Sequence, residues 1–148
     1  MSKSDVFEND LMLLLFNNVA CTNIGDAGGL RATAAPGTFW VALYTADPAE
    51  TGTAVTNETA YTNYLRVSVN RASGAGGFTV TNNSVSPASN VDFAECGVTP
   101  GGPITHFGIV NTASGAGKLL YSGTVSPSIT LAAGVIPRIK STSTIVED

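Results

Sequence analysis

The sequence predicts a mainly β fold, a β-sandwich or jelly-roll-like antiparallel domain with one N-terminal α-helix. Short runs rich in apolar, β-branched and aromatic residues recur roughly every dozen positions from Phe39 onward. Clusters of Gly, Asn, Ser and Pro punctuate them. Helical spacing of apolar residues is confined to the N-terminal arm.

Residues 4–19 carry that helix. Phe7, Leu11, Leu14 and Leu15 fall at i, i+4, i+7 and i+8, which places them on one face. Ser4 is positioned to cap it, and Asp5 and Glu8 near the first turn suit the helix dipole. Met12 and Phe16 widen the apolar stripe, so the helix is expected to bury two sides, against its own sheet or a neighbouring subunit. Residues 1–20 therefore form an anchor or a core plug, 21–38 a breaker-rich loop or linker, and 39–148 the β-sandwich domain.

Phe39–Thr45 is an almost unbroken apolar run, as in a central strand covered on both faces. Leu65–Asn70 alternates strictly, as a strand does, with Leu65, Val67 and Val69 pointing one way and Arg66, Ser68 and Asn70 the other. Further strands are expected at Phe78–Thr81, Val85–Ser86, Val91–Ala94, Ile104–Asn111, Lys118–Ser122, Ser128–Leu131, Val135–Lys140 and Thr142–Val146. Turns fall at Ser73-Gly-Ala-Gly-Gly, Asn82-Asn83, Pro100-Gly-Gly-Pro, Ser114-Gly-Ala-Gly and Ala133-Gly134. The string Ala-Ser-Gly-Ala-Gly occurs at 72–76 and again at 113–117, each time between strand-like runs, and reads as a reused hairpin loop. Pro127 and Pro137 lack an amide hydrogen, which assigns their strands to edges or bulges. Sheet edges are usually protected by charge, and charge is sparse here, so partners are expected to cover some of them.

Charged residues are 12% of the chain against 43% hydrophobic, which excludes a disordered polyelectrolyte. Seven scattered cations against 11 carboxylates give a net charge of −4. Nucleic acid, which demands clustered cations, is not an expected partner. The longest apolar run, Leu11–Phe16, is far short of the roughly 20 residues a bilayer span needs. Its acidic flanks also do not resemble a secretory signal. The expectation is a soluble protein made in the cytoplasm, with no membrane partner and with Cys21 and Cys96 as free buried thiols.

Chemistry finds little support. His106, the one histidine, lies inside an apolar strand, and no nucleophile elbow accompanies it, so a Ser-His-Asp triad with Asp92 is not expected. Zinc would need more ligands than one histidine and two distant cysteines supply. Asp92 and Glu95 are expected to point to opposite faces, unlike a glycosidase pair. Asp47, Glu50 and Glu58 line an oxygen-rich loop that lacks the ligand ladder of a calcium site. Gly115-Ala-Gly-Lys118 fails the phosphate-loop pattern, because Thr112 and Leu119 stand where glycine and a hydroxyl residue are required. No catalytic residue, metal or cofactor is expected.

The composite pattern is more informative. It comprises Phe39-Trp-Val-Ala-Leu-Tyr-Thr-Ala-Asp-Pro, Glu50-Thr-Gly-Thr, Asn57-Glu-Thr-Ala-Tyr and Tyr64-Leu-Arg-Val, followed by Phe78-Thr-Val and Asn90-Val-Asp-Phe. Thr105-His-Phe-Gly-Ile, Leu119-Leu-Tyr-Ser-Gly and Gly134-Val-Ile-Pro-Arg-Ile complete it. In this the chain resembles small tailed-bacteriophage virion structural proteins of the tail-fibre-like, minor tail or head-decoration type. The resemblance implies a non-enzymatic building block of the virion, assembled in the host cytoplasm. Its expected partners are copies of itself, in a homo-oligomer such as a trimer, together with major capsid or tail proteins. The leading expectation is a capsid decoration or head-associated protein. The alternative is a tail or tail-fibre component contacting the host surface, with Trp40, Tyr44, Tyr61, Tyr64 and Tyr121 as the available sugar-facing aromatics. Phe7, Leu11, Met12, Leu14, Leu15 and Phe16 are the expected interface residues, unless they only plug the sandwich.

Overall fold

A computed structural model of the chain describes residues 2–98 and 101–147. In chain order the elements are α1 (Asp5–Asn17), β1 (Thr38–Tyr44), β2 (Val67–Asn70), β3 (Phe78–Thr81), β4 (Ser84–Pro87), β5 (Val91–Asp92), β6 (Ile104–Val110), β7 (Leu119–Ile129), β8 (Arg138–Ile139) and β9 (Ile145–Val146). Strand makes up 33% of the chain and helix 9%, so the fold is mainly β with one helix near the N-terminus, as the sequence predicts. The assigned strand pairings are antiparallel. The strands form a four-stranded sheet in the order β2-β1-β6-β7, a three-stranded sheet β3-β4-β9 and a two-stranded ribbon β5-β8. Two compact units divide the chain: Met1–Thr38, Val69–Asn90 and Lys140–Asp148 form one, and Phe39–Ser68 and Val91–Ile139 the other.

In the first unit α1 packs on β3 and β4. Ser4 sits at the N-cap in extended conformation, but its hydroxyl makes no capping bond; its carbonyl accepts from Glu8 N at 3.0 Å instead. Asn18, in the left-handed region (φ 57°), ends the helix two residues earlier than expected. The last turn contains no base of its own. Arg71 supplies one from a distance: its Nε donates to Leu15 O at 2.7 Å and its Nη2 to Leu14 O. Two carbonyls that the helix leaves unsatisfied are thereby closed by a cation at the negative end of the dipole.

The deeply buried face of α1 is Glu8, Met12 and Phe16, one position round from the stripe the sequence predicts. Met12 and Phe16 are 0% exposed, and the Phe16 ring meets Phe78 edge to face at 4.9 Å. Phe7, Leu11, Leu14 and Leu15 are only partly buried. Below the helix, the Asn82-Asn83 turn closes the β3–β4 hairpin, with Thr81 opposite Ser84 and Asn82 at φ 56°. β9 then pairs Ile145 with Val85.

In the second unit, β1 and β6 run antiparallel from Trp40–Val110 to Tyr44–His106. The last four residues of each are buried on both faces, the mark of central strands. Tyr44, Ala42, Ala54 and Val110 make one core cluster, with Trp40 and Leu119 against it. Gly108 makes room for it: a Cβ there would lie 2.8 Å from both Tyr44 Cε2 and Leu119 Cδ1.

Several expectations are corrected. Leu65 and Arg66, expected in an alternating strand over Leu65–Asn70, lie outside it, with Leu65 71% and Arg66 8% exposed. The strand starts only at Val67, and Glu58 draws the guanidinium inward against the alternation. The two strands expected at Lys118–Ser122 and Ser128–Leu131 are one, β7. Its register slips between His106–Thr124 and Ile104–Ile129, so Pro127 occupies a bulge on an edge strand, in keeping with its missing donor. The two Ala-Ser-Gly-Ala-Gly copies also diverge. That at 113–117 closes the β6–β7 hairpin, whereas that at 72–76 links β2 and β3, which belong to different sheets. Their first glycines are both left-handed (Gly74 φ 83°, Gly115 φ 71°), but of the second pair only Gly76 is. Pro100, which opens the predicted turn Pro100-Gly-Gly-Pro, lies outside the described residues.

Candidate functional site

The residues proposed for an interface separate into two groups. Met12 and Phe16 belong to the core of the first unit, while Phe7, Leu11, Leu14 and Leu15 keep part of their surface in solvent. Val6 (73% exposed) extends the accessible side of α1.

The most elaborate polar arrangement lies in the second unit and was not anticipated. Arg66 Nε meets Glu58 Oε1 at 2.6 Å, and Arg66 Nη2 meets Glu58 Oε2 at 2.7 Å, a two-pronged pair. The remaining guanidinium hydrogens reach Thr112 O and Oγ1 at 3.0 Å, Gly115 O at 3.0 Å and Ala54 O at 3.1 Å. Tyr64 Oη donates to Glu58 Oε1 at 2.9 Å and accepts from Leu43 N at 3.0 Å. One arginine therefore ties the 54–58 loop and the β6–β7 hairpin loop together, and Tyr64 adds β1. The Arg66 and Glu58 side chains are only 2% and 15% exposed. The bond to Glu58 raises the Arg66 pKa above its usual value despite burial. Burial is also the main cause that pushes the Tyr64 phenol far up, and that takes Tyr44 and Tyr61 up to about 12.

A pocket of about 350 Å³ opens beside this cluster, lined among others by Tyr61, Tyr64, Leu65 and Ser114. The polar tips of its tyrosines are turned inward. Tyr61 Oη donates to Ala94 O at 2.9 Å, and the Tyr64 ring stacks on Phe93. Of the five aromatics considered for a sugar platform, Tyr44 and Tyr61 are buried and Trp40, Tyr64 and Tyr121 partly so. The charge pattern held a usable signal for the Arg66 cluster: in so weakly charged a chain, Glu58 and Arg66 flank two tyrosines in the segments Asn57-Glu-Thr-Ala-Tyr and Tyr64-Leu-Arg-Val.

The other candidates are scattered. His106 Nδ1 lies 2.9 Å from Thr105 Oγ1, within β6. Asp92 pairs with Arg138 across the β5–β8 ribbon, through Arg138 Nη2 to Asp92 Oδ2 at 2.9 Å and Arg138 Nε to Asp92 Oδ1, and Glu95 does not join it. Asp47 Oδ1 accepts from Ala49 N at 2.8 Å, a loop bond. Cys21 and Cys96 are free and buried, in separate units. Among the described residues no three metal-binding side chains converge, and no helix is long and apolar enough to cross a membrane.

Comparison with known families decides the assignment. A family model described as podophage GP4 fiber I protein gp80 matches residues 2–147. The chain belongs to that family. It is thus a member of a family of small tailed-phage virion structural proteins, a fibre family and not a known enzyme family. The match favours the fibre reading over capsid decoration, for which nothing speaks. No curated protein matches the chain.

Proposed function

We propose that the chain is a non-enzymatic component of a podophage tail fibre, working by protein–protein packing with copies of itself and with neighbouring tail proteins. The single observation that carries this reading is the match of a fibre family over residues 2–147. The physical character of the molecule supports it. Its best-formed polar site, around Arg66, is closed on itself: both Glu58 oxygens and the Tyr64 hydroxyl are bonded within the protein. Such an arrangement fixes loops and leaves no base or nucleophile poised to react. Much of the surface is small and uncharged, which suits repeated association.

Immunogold labelling and quantitative mass spectrometry of intact particles test it. Label confined to the tail, at a copy number divisible by three or six, is expected. Uniform label over the head at hundreds of copies would overturn the fibre placement in favour of decoration.

A further inference from the structure

The wall of the pocket beside Arg66 holds no charge free to meet a ligand. A guanidinium has five N–H donors, and six acceptor atoms already receive those of Arg66. Both Glu58 oxygens are taken as well. The rest of the wall is neutral, with Ala60, Leu65, Ala113 and Ser114 exposed and Tyr64 partly so. Thr59 belongs to the same wall. It is 4% exposed, and its Oγ1 is the one buried side-chain polar atom among the described residues without a hydrogen-bond partner. Burying a hydroxyl unmet costs stability, and valine would fill the same space without that cost. Sequences that break such a rule do so chiefly where something binds.

We propose that this pocket receives an apolar side chain of a neighbouring tail protein, together with the peptide group that follows it. This rests on the packing with tail proteins proposed above and gives it a surface. Chemistry selects the occupant. A charged group would enter without a counter-charge, because those of Arg66 and Glu58 are spent on each other. A sugar would find the tyrosine hydroxyls already turned inward, to Ala94 O and Glu58 Oε1. An apolar side chain fits by size: an enclosed cavity of about 150 Å³ admits benzene, and this pocket offers about 350 Å³. The side chain covers Leu65 and the Tyr64 ring, and a peptide carbonyl accepts the Thr59 proton. Arg66 holds the loops on both sides before the partner arrives, so little order is lost on docking.

Titrating the isotope-labelled full chain with N-acetyl-L-leucinamide, followed through amide NMR shifts, tests this. Saturable shifts at residues 58–66 and 113–115 are expected, with Kd on the order of 1 mM for so small a probe. Thr59→Val is expected to weaken binding about fivefold and, without probe, to raise the urea midpoint. Leu65→Ser, at an exposed position, should weaken binding at least about threefold and leave that midpoint unchanged. N-acetyl-L-serinamide should bind more weakly than the leucine probe. The proposal is overturned if no saturable shift develops, or if methyl β-D-glucopyranoside binds the same residues more tightly. A lower midpoint in Thr59→Val would overturn it too, since the hydroxyl would then be satisfied within the protein. Shifts of the same residues on concentrating the protein alone would make the occupant a second copy, against the proposal. Particle labelling is independent: tail label with a failed titration removes this assignment alone, whereas head label removes the fibre reading.

Discussion

Two arginine–carboxylate pairs in the second unit have the same chemistry and opposite settings. Arg66 and Glu58 are nearly sealed from solvent, and the guanidinium also holds carbonyls of three other residues. Arg138 and Asp92 bridge neighbouring strands with side chains 52% and 47% exposed, and nothing further is attached. In the first case loss of either partner strands a charge in a place water barely reaches. In the second, water stands ready to replace it. The contribution of an ion pair thus follows from what surrounds it, and the two pairs make an internal control.

The strongest way to break the contrast is Arg66→Met, which keeps volume and removes the fork. It is expected to lower unfolding free energy by about 3–5 kcal/mol, read from urea denaturation, because Glu58 remains buried without its partner. A loss below about 1 kcal/mol would place Arg66 with the exposed pair. The next effect is alkaline. Burial takes the pKa of Tyr44 and Tyr61 up to about 12, against an ordinary value of about 10, and pushes the Tyr64 phenol far above that ordinary value. A raised phenol contributes stability fully below the unfolded value and loses it as pH climbs through the folded one. Stability is therefore expected to fall between about pH 10 and 12, with tyrosinate absorbance rising together with unfolding.

Tyr64→Phe sharpens the contrast further. It removes one bond to Glu58 and leaves Leu43 N without its acceptor, so a loss of about 1–3 kcal/mol is expected by the same urea assay. The smallest effect belongs to Asp92→Asn, which should leave the urea midpoint at neutral pH unchanged. Its carboxyl is held below the usual range by the bond from Arg138, so whatever it adds is present above about pH 4 and fades as acid protonates it. A midpoint shift as large as that of Arg66→Met would erase the distinction.

Much of the architecture was legible because it depends on short-range pattern. The β1 run, the Asn82-Asn83 turn and the helix start follow from propensity and spacing within a few residues. Where the reading failed, a distant partner had intervened. Alternation extended the strand back to Leu65, but Glu58 claimed Arg66 and the strand starts only at Val67. The α1 face was misjudged by one position because Phe78, more than sixty residues on, sets which side meets the sheet. The cross-strand pairing of Asp92 with Arg138 required a register that no local pattern specifies. The Arg66 cluster had a compositional hint and no motif.

Arg71 carries a consequence for how the chain comes into being. A helix of 13 residues is marginal alone in water, and α1 has no base in its final turn to compensate. Its two open carbonyls are closed by a side chain more than fifty positions downstream. During synthesis, then, the N-terminal segment emerges from the ribosome before the group that completes it has been made. The helix becomes secure only after more than fifty further residues have been made, so the order of translation and the order of consolidation run in opposite directions.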